Sequence, residues 1–226
     1  MSLRIKYDDV VNLTTTSDRG LILTDLNQFT EHDYCVTVTV KPDLEANRVN
    51  RKEEEPLTHC IWGRAGKHMG VFIDFNAMRY TFGWWEGDEY KFLISDIEQV
   101  VEEYTTISVV KNSGSKTFKL YINGDLQDEK EYGEVHSYVH MPITLGIGNE
   151  QPEAFPHQNK FEGEYSKFII NNTHKLDEGL NASTMVYLDF EQDNLTYYSI
   201  HDISNNGNRA RINHSSYKRT WEKVEV

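Results

Sequence analysis

Apolar and polar residues alternate with period two along much of the chain, the pattern of strands with one buried face. In Tyr34-Cys35-Val36-Thr37-Val38-Thr39-Val40, Tyr34, Val36, Val38 and Val40 share one face, and Cys35, Thr37 and Thr39 share the other. Lys41-Pro42-Asp43 ends the run, because proline has no amide to give to a ladder. Further strands are predicted over residues 58–62, 69–76, 78–85, 90–94, 106–111, 118–122, 143–147, 161–170 and 185–190. Arg64-Ala65-Gly66, Glu86-Gly87-Asp88, Asn112-Ser113-Gly114 and Asn123-Gly124-Asp125 separate them with turn residues. Asn123-Gly124 supplies the positive φ angles of a two-residue hairpin, so 119–122 is expected to pair with 126–130. Residues 44–56 are charged and read as an exposed loop.

One stretch departs from the alternation. Ser95-Asp96-Ile97-Glu98 has the form of a capping box, and Ile97, Val100, Val101 and Tyr104 follow helical spacing. A short helix is therefore expected near residues 96–103. About a dozen strands with hairpin signals throughout point to an all-β fold, two antiparallel sheets packed face to face. A length of 226 residues suits a single domain over 1–226, since such sandwiches run to roughly 200–250 residues.

Composition sharpens this picture. Thirteen Tyr, ten Phe and four Trp supply much of the apolar area, which favours strands. A formal net charge of −13 argues against nucleic acid or an anionic membrane as the main partner, because both select clustered Lys and Arg. No apolar run approaches the ~18 residues of a membrane span. Residues 1–9 lack the apolar stretch of a signal peptide, and Met1-Ser2-Leu3 fits a chain trimmed from a longer, multidomain parent. Two cysteines, Cys35 and Cys60, sit in separate strands; a bridge between neighbouring strands and two buried thiols are both open readings.

Several segments resemble the laminin-G-like, concanavalin A-like jelly rolls, the superfamily of lectins, pentraxins and related glucanases. The run from Phe29-Thr30 to Val40-Lys41-Pro42 is similar to the early strand of that group. Phe118-Lys119-Leu120-Tyr121-Ile122-Asn123-Gly124 resembles its Leu-Tyr-(Val/Ile)-Asn-Gly hairpin. Leu145-Gly146-Ile147-Gly148 followed by Phe161-Glu162-Gly163-Glu164-Tyr165 resembles the closing pair of strands. Asp202-Ile203-Ser204-Asn205-Asn206-Gly207-Asn208 is similar to the ending of bacterial members. The resemblance spans about 20–210 and implies a jelly roll, a glycan or protein ligand and, for many relatives, calcium and an extracellular or cell-surface site of action.

The candidate chemistry is weighed within that frame. Glucanases of this fold place carboxylates on one strand in a Glu-x-Asp-x-x-Glu pattern, and hydrolysis needs two of them about 5–9 Å apart. Glu86-Gly87-Asp88-Glu89 and Asp74-Phe75-Asn76 come nearest and lack the third carboxylate, so no catalytic residue is assigned. The run from Leu145 to Glu153 has some similarity to a pentraxin calcium loop, with two extra residues after Gly146 and Pro152 where an acid is expected. It implies Asn149, Glu150 and Asp74 as calcium ligands, oxygen donors of the type this ion takes. His136 and His140 share a strand face without a third metal ligand. Asn-x-Ser/Thr sequons begin at Asn12, Asn171, Asn181, Asn194 and Asn213 and do not establish secretion.

Sugar binding calls for aromatic planes with polar groups beside them. The densest aromatic stretch runs from Tyr80 to Tyr90; within it Tyr80, Trp84 and Trp85, with Glu86 and Asp88 as acceptors, form the expected ligand platform. Adjacent tryptophans in a strand must point to opposite faces, so one of the pair is expected to leave the core. The chain thus reads as a non-catalytic carbohydrate-binding module. A protein-binding adhesion module is the alternative, and a glycoside hydrolase the third reading.

Overall fold

The computed structural model of the chain describes residues 2–5, 21–23, 32–45, 59–64, 69–135, 143–146, 161–191, 199–204, 206, 209–212 and 221–224. The strands within them are Ser2–Ile5 (β1), Leu21–Leu23 (β2), Tyr34–Pro42 (β3), His59–Arg64 (β4), Met69–Asp74 (β5) and Arg79–Glu86 (β6). Glu89–Ile94 (β7), Thr105–Asn112 (β8), Thr117–Ile122 (β9), Asp125–Glu131 (β10) and Ile143–Leu145 (β11) follow. Gly163–Asn171 (β12), Thr184–Asp189 (β13), Ser199–His201 (β14), Arg209–Ile212 (β15) and Trp221–Val224 (β16) complete the order.

These strands make two antiparallel sheets. The first runs β10-β9-β8-β3-β12-β1-β16, with β13 also paired to β12. The second runs β14-β15-β2-β11-β4-β5-β6-β7. Asn123 and Gly124 both take positive φ, 51° and 87°, as the two-residue turn demands. Ile122 accordingly pairs with Asp125 and Tyr121 with Leu126, and a bulge follows before Leu120 meets Asp128. Short strands β1, β2, β14, β15 and β16 fall outside the predicted set. With three or four residues each, they are too short to show a period, and long-range pairing makes them strands.

The core lies between the sheets and is rich in aromatic rings. From the first sheet Tyr34, Val36, Val38, Val40, Phe118, Leu120, Tyr165 and Phe168 point into it, all fully buried. Trp62, Val71, Ile73, Tyr80, Phe82 and Trp84 face them from the second. Phe118 closes on Phe82 and Trp84 with ring centroids 5.2 and 4.9 Å away, tying β9 to β6 across the sandwich. Two hydroxyls also bridge the layers: Tyr165 donates to the Ile61 carbonyl at 2.6 Å and Tyr34 to the Met69 sulfur at 3.0 Å. On the outer face of the first sheet, Thr37 pairs with Ser108 and Thr39 with Thr106, each at 2.9 Å.

Residues 96–103 form turns and irregular backbone, not the expected helix. The Ser95 hydroxyl, the presumed cap, accepts the Tyr80 amide at 2.9 Å. Glu98 N–H donates to Ala77 O and Val100 N–H to Met78 O, so the segment spends its amides on the 75–78 turn. Glu98 itself sits at φ 61°, outside helical space, while Ile97, Val101 and Tyr104 are exposed. Both cysteines are buried free thiols in different sheets, Cys35 on β3 and Cys60 on β4. Burial pushes both thiols above their ordinary range.

Candidate functional site

The hairpin of β6 and β7 carries the candidate site. Gly87 at φ 57° makes its tight turn and leaves Asp88 exposed at the tip. Alternation along β6 sends Tyr80, Phe82 and Trp84 into the core, where each is at most 1% exposed. Thr81, Gly83 and Trp85 therefore take the other face. On β7 the residues opposite them are Ile94, Phe92 and Tyr90. Trp85, Tyr90 and Phe92 are half-buried, and together they form an aromatic face on the outside of the second sheet.

The rings touch in sequence. Trp85 and Tyr90 lie 5.4 Å apart between centroids with planes inclined by 56°. Tyr90 and Phe92 meet edge to face at 4.7 Å and 81°. Tyr90 does not stand up from the sheet. Its phenol leans over Gly83, where a β-carbon would come within 2.6 Å of Tyr90 Cζ. Gly83 lies in register with Gly70 on β5, and Gly70 with Gly63 on β4, so a row of side-chain-free positions crosses the three strands.

Side chains from the edge of the opposite sheet hold β7 in place. Asp128 accepts the Ile94 amide at 3.1 Å, Lys130 donates to the Phe92 carbonyl at 2.6 Å, and Gln127 accepts the Asp96 amide at 3.2 Å. Lys130 also pairs with Asp128 at 3.4 Å. On the other side of the hairpin Lys91 pairs with Glu89, which lowers the carboxyl pKa and raises the ammonium pKa.

Of the five expected platform residues, only Trp85 stands on this face, with Asp88 at the turn beside it. Trp84 and Tyr80 are core residues, and burial raises the Tyr80 phenol to about 12. Glu86 shares the Trp84 side of β6 and lies against Gly133, next to its bridge with Val135. Tyr90 and Phe92 are the residues that share the outer face with Trp85, above Gly83. Their signal was ambiguous, because in Tyr90-Lys91-Phe92-Leu93-Ile94 both faces carry apolar residues.

Asp74 is 5% exposed and committed locally. It accepts the Asn76 and Ala77 amides at 3.0 and 3.4 Å and pairs with Arg79 Nε at 3.0 Å, closing the turn between β5 and β6. Asn149 and Glu150 lie outside the described residues, as do His136 and His140. Among the described residues no three His, Cys, Asp or Glu side chains gather as a metal site. Asn171 is fully buried and donates to the Asp177 and Gly179 carbonyls, so the acceptor side chain of its sequon is turned into the fold.

The sequence matches no protein-family profile and no curated protein. Solved structures do resemble it. A proposed carbohydrate-binding protein from Bacteroides ovatus superposes with a TM-score of 0.60 at 9% identity over 93% of this chain. The chain spans 58% of that protein's length. A heptameric pentraxin resembling SAP, from Limulus polyphemus, gives 0.53 at 13% identity over 94% of this chain and 96% of its own. The CBM40 domain of a Ruminococcus gnavus IT-sialidase gives 0.51 at 13% identity, covering 71% of this chain and 90% of its own. At these identities the likeness defines the fold alone: a jelly-roll sandwich of two antiparallel sheets.

Proposed function

We propose that the domain is a non-catalytic glycan-binding module whose ligand stacks on Trp85 and Tyr90. The observation that carries this reading is the half-buried aromatic face of Trp85, Tyr90 and Phe92 on an otherwise core-facing hairpin. Aromatic planes cover the apolar face of a pyranose, and Asp88, exposed at the turn beside Trp85, supplies a polar contact at the rim. The fold it shares with a proposed carbohydrate-binding protein and a CBM40 domain supports the same class. Such a module acts where polysaccharide is met, at a cell surface or outside the cell, and the described residues contain no helix long and apolar enough to cross a membrane.

Titration against a panel of glycans tests the proposal, with Trp85→Ala as the control that keeps the fold. Saturable binding that this variant loses supports it; wild-type affinity in Trp85→Ala removes the site. A protein-binding module is the second reading, favoured by the exposed Ile97, Val101 and Tyr104 along one connector. It predicts a partner whose binding is sensitive to Ile97→Asp and indifferent to Trp85→Ala.

A further inference from the structure

We infer that the aromatic face selects single glycan chains that bend in solution and rejects the flat faces of crystalline polysaccharide, with Tyr90 and Gly83 as the residues that set this choice. The inference rests on the glycan reading above. Stacking requires a ring to lie parallel to the apolar face of the sugar it covers. A crystalline polysaccharide presents rows of coplanar sugars, so a surface that adheres to it must offer coplanar rings. Tyr90, the middle ring here, is inclined by 56° to Trp85 and by 81° to Phe92. No single plane can lie against both Tyr90 and either neighbour.

The spacing says what can. With 5.4 Å between the Trp85 and Tyr90 centroids, a sugar on one ring is in reach of the other. The two rings therefore serve adjoining sugars turned relative to each other, or two faces of one chain end. A bent, soluble chain offers that arrangement and a flat ribbon in a crystal does not.

The tilt is built into the sheet. Tyr90 reaches its angle because residue 83 lacks a β-carbon: the end of its phenol occupies the volume that any side chain there would fill. Phe92 meets the Tyr90 ring edge to face, and Lys130 fixes the backbone beneath Phe92 through its carbonyl. Residue 83 thus determines the ligand class without touching the ligand.

The experiment pairs two measurements on the same protein. The first is a glycan array of soluble oligosaccharides, with calorimetric titration of any hit. The second is sedimentation with microcrystalline cellulose and with chitin. Wild-type protein is expected to bind a soluble oligosaccharide and to stay in the supernatant with both crystals. Trp85→Ala and Tyr90→Ala, each verified as folded by its melting curve, are each expected to weaken the soluble hit about tenfold or more. Sedimentation with cellulose or chitin would overturn the inference while leaving the glycan reading intact. So would a soluble hit that Tyr90→Ala binds as wild type does. Absence of binding to every soluble and crystalline glycan would overturn the glycan reading and this inference with it.

Discussion

Tyr90 and Gly83 occupy one another's space: the phenol end of Tyr90 rests where a β-carbon of residue 83 would be, 2.6 Å from Cζ. Gly83→Ala should therefore cost about 1–3 kcal/mol through overlap, and Tyr90→Ala in the same chain should return much of it. Urea unfolding of the two single variants and the double variant measures the coupling. Simple additivity would show that the contact is unimportant.

The two adjacent tryptophans should respond very differently to truncation. Trp84→Ala empties a core site shared with Phe82 and Phe118 and should cost about 3–5 kcal/mol. Trp85→Ala, on the half-buried outer face, should change stability by no more than about 1 kcal/mol and, on the proposed glycan reading, weaken binding about tenfold or more. Denaturation and titration of both variants check the contrast.

Tyr80 makes stability depend on alkaline pH. Its folded-state pKa is raised by burial to about 12, against an ordinary value near 10. Because the fold favours the protonated phenol, this contribution is complete below pH 10, declines as pH rises from 10 to 12, and is lost above that. The loss amounts to about 3 kcal/mol. Tyr80→Phe, which cannot ionise, should show a shallower fall in urea midpoint over this range.

The seam between β7 and β10 should be visible by hydrogen exchange. Asp128→Ala removes the acceptor of the Ile94 amide, so that amide should exchange about tenfold faster or more, with a stability loss of about 1 kcal/mol. Unchanged exchange at Ile94 would show that the amide is protected by something other than this carboxylate.

Both thiols should be slow to react in the folded protein. Cys35 and Cys60 are buried, with pKa values raised by desolvation, so little thiolate forms at pH 8. Iodoacetamide followed by mass measurement should find them unmodified until denaturant is added, and then find two alkylations.

The sequence was most readable where one side of a strand is apolar and the other polar. Tyr34 to Val40 is such a strand, and its observed inner and outer faces follow the alternation residue by residue. The Asn123-Gly124 hairpin was equally legible, because two positive φ angles leave few other conformations. The predicted helix failed for a reason that local sequence does not contain. Ser95 and Glu98 had capping-box spacing, yet the 75–78 turn and Tyr80 offered their backbone and side-chain groups better partners. The candidate site was half legible. Pleat geometry identified a tryptophan that must leave the core, while composition drew in Tyr80, Trp84 and Glu86, which face the other way. Tyr90 and Phe92 come onto the Trp85 face through a cross-strand register, and a register has no local signature.

The outermost strand of a sheet normally displays unpaired amides and carbonyls, on which another chain can add and from which fibres can grow. In β7 the Ile94 amide and the Phe92 carbonyl already belong to Asp128 and Lys130. The same two side chains that steady the aromatic face thereby occupy two of the edge groups to which another strand would pair, so a chain adding along β7 would first have to displace Asp128 and Lys130.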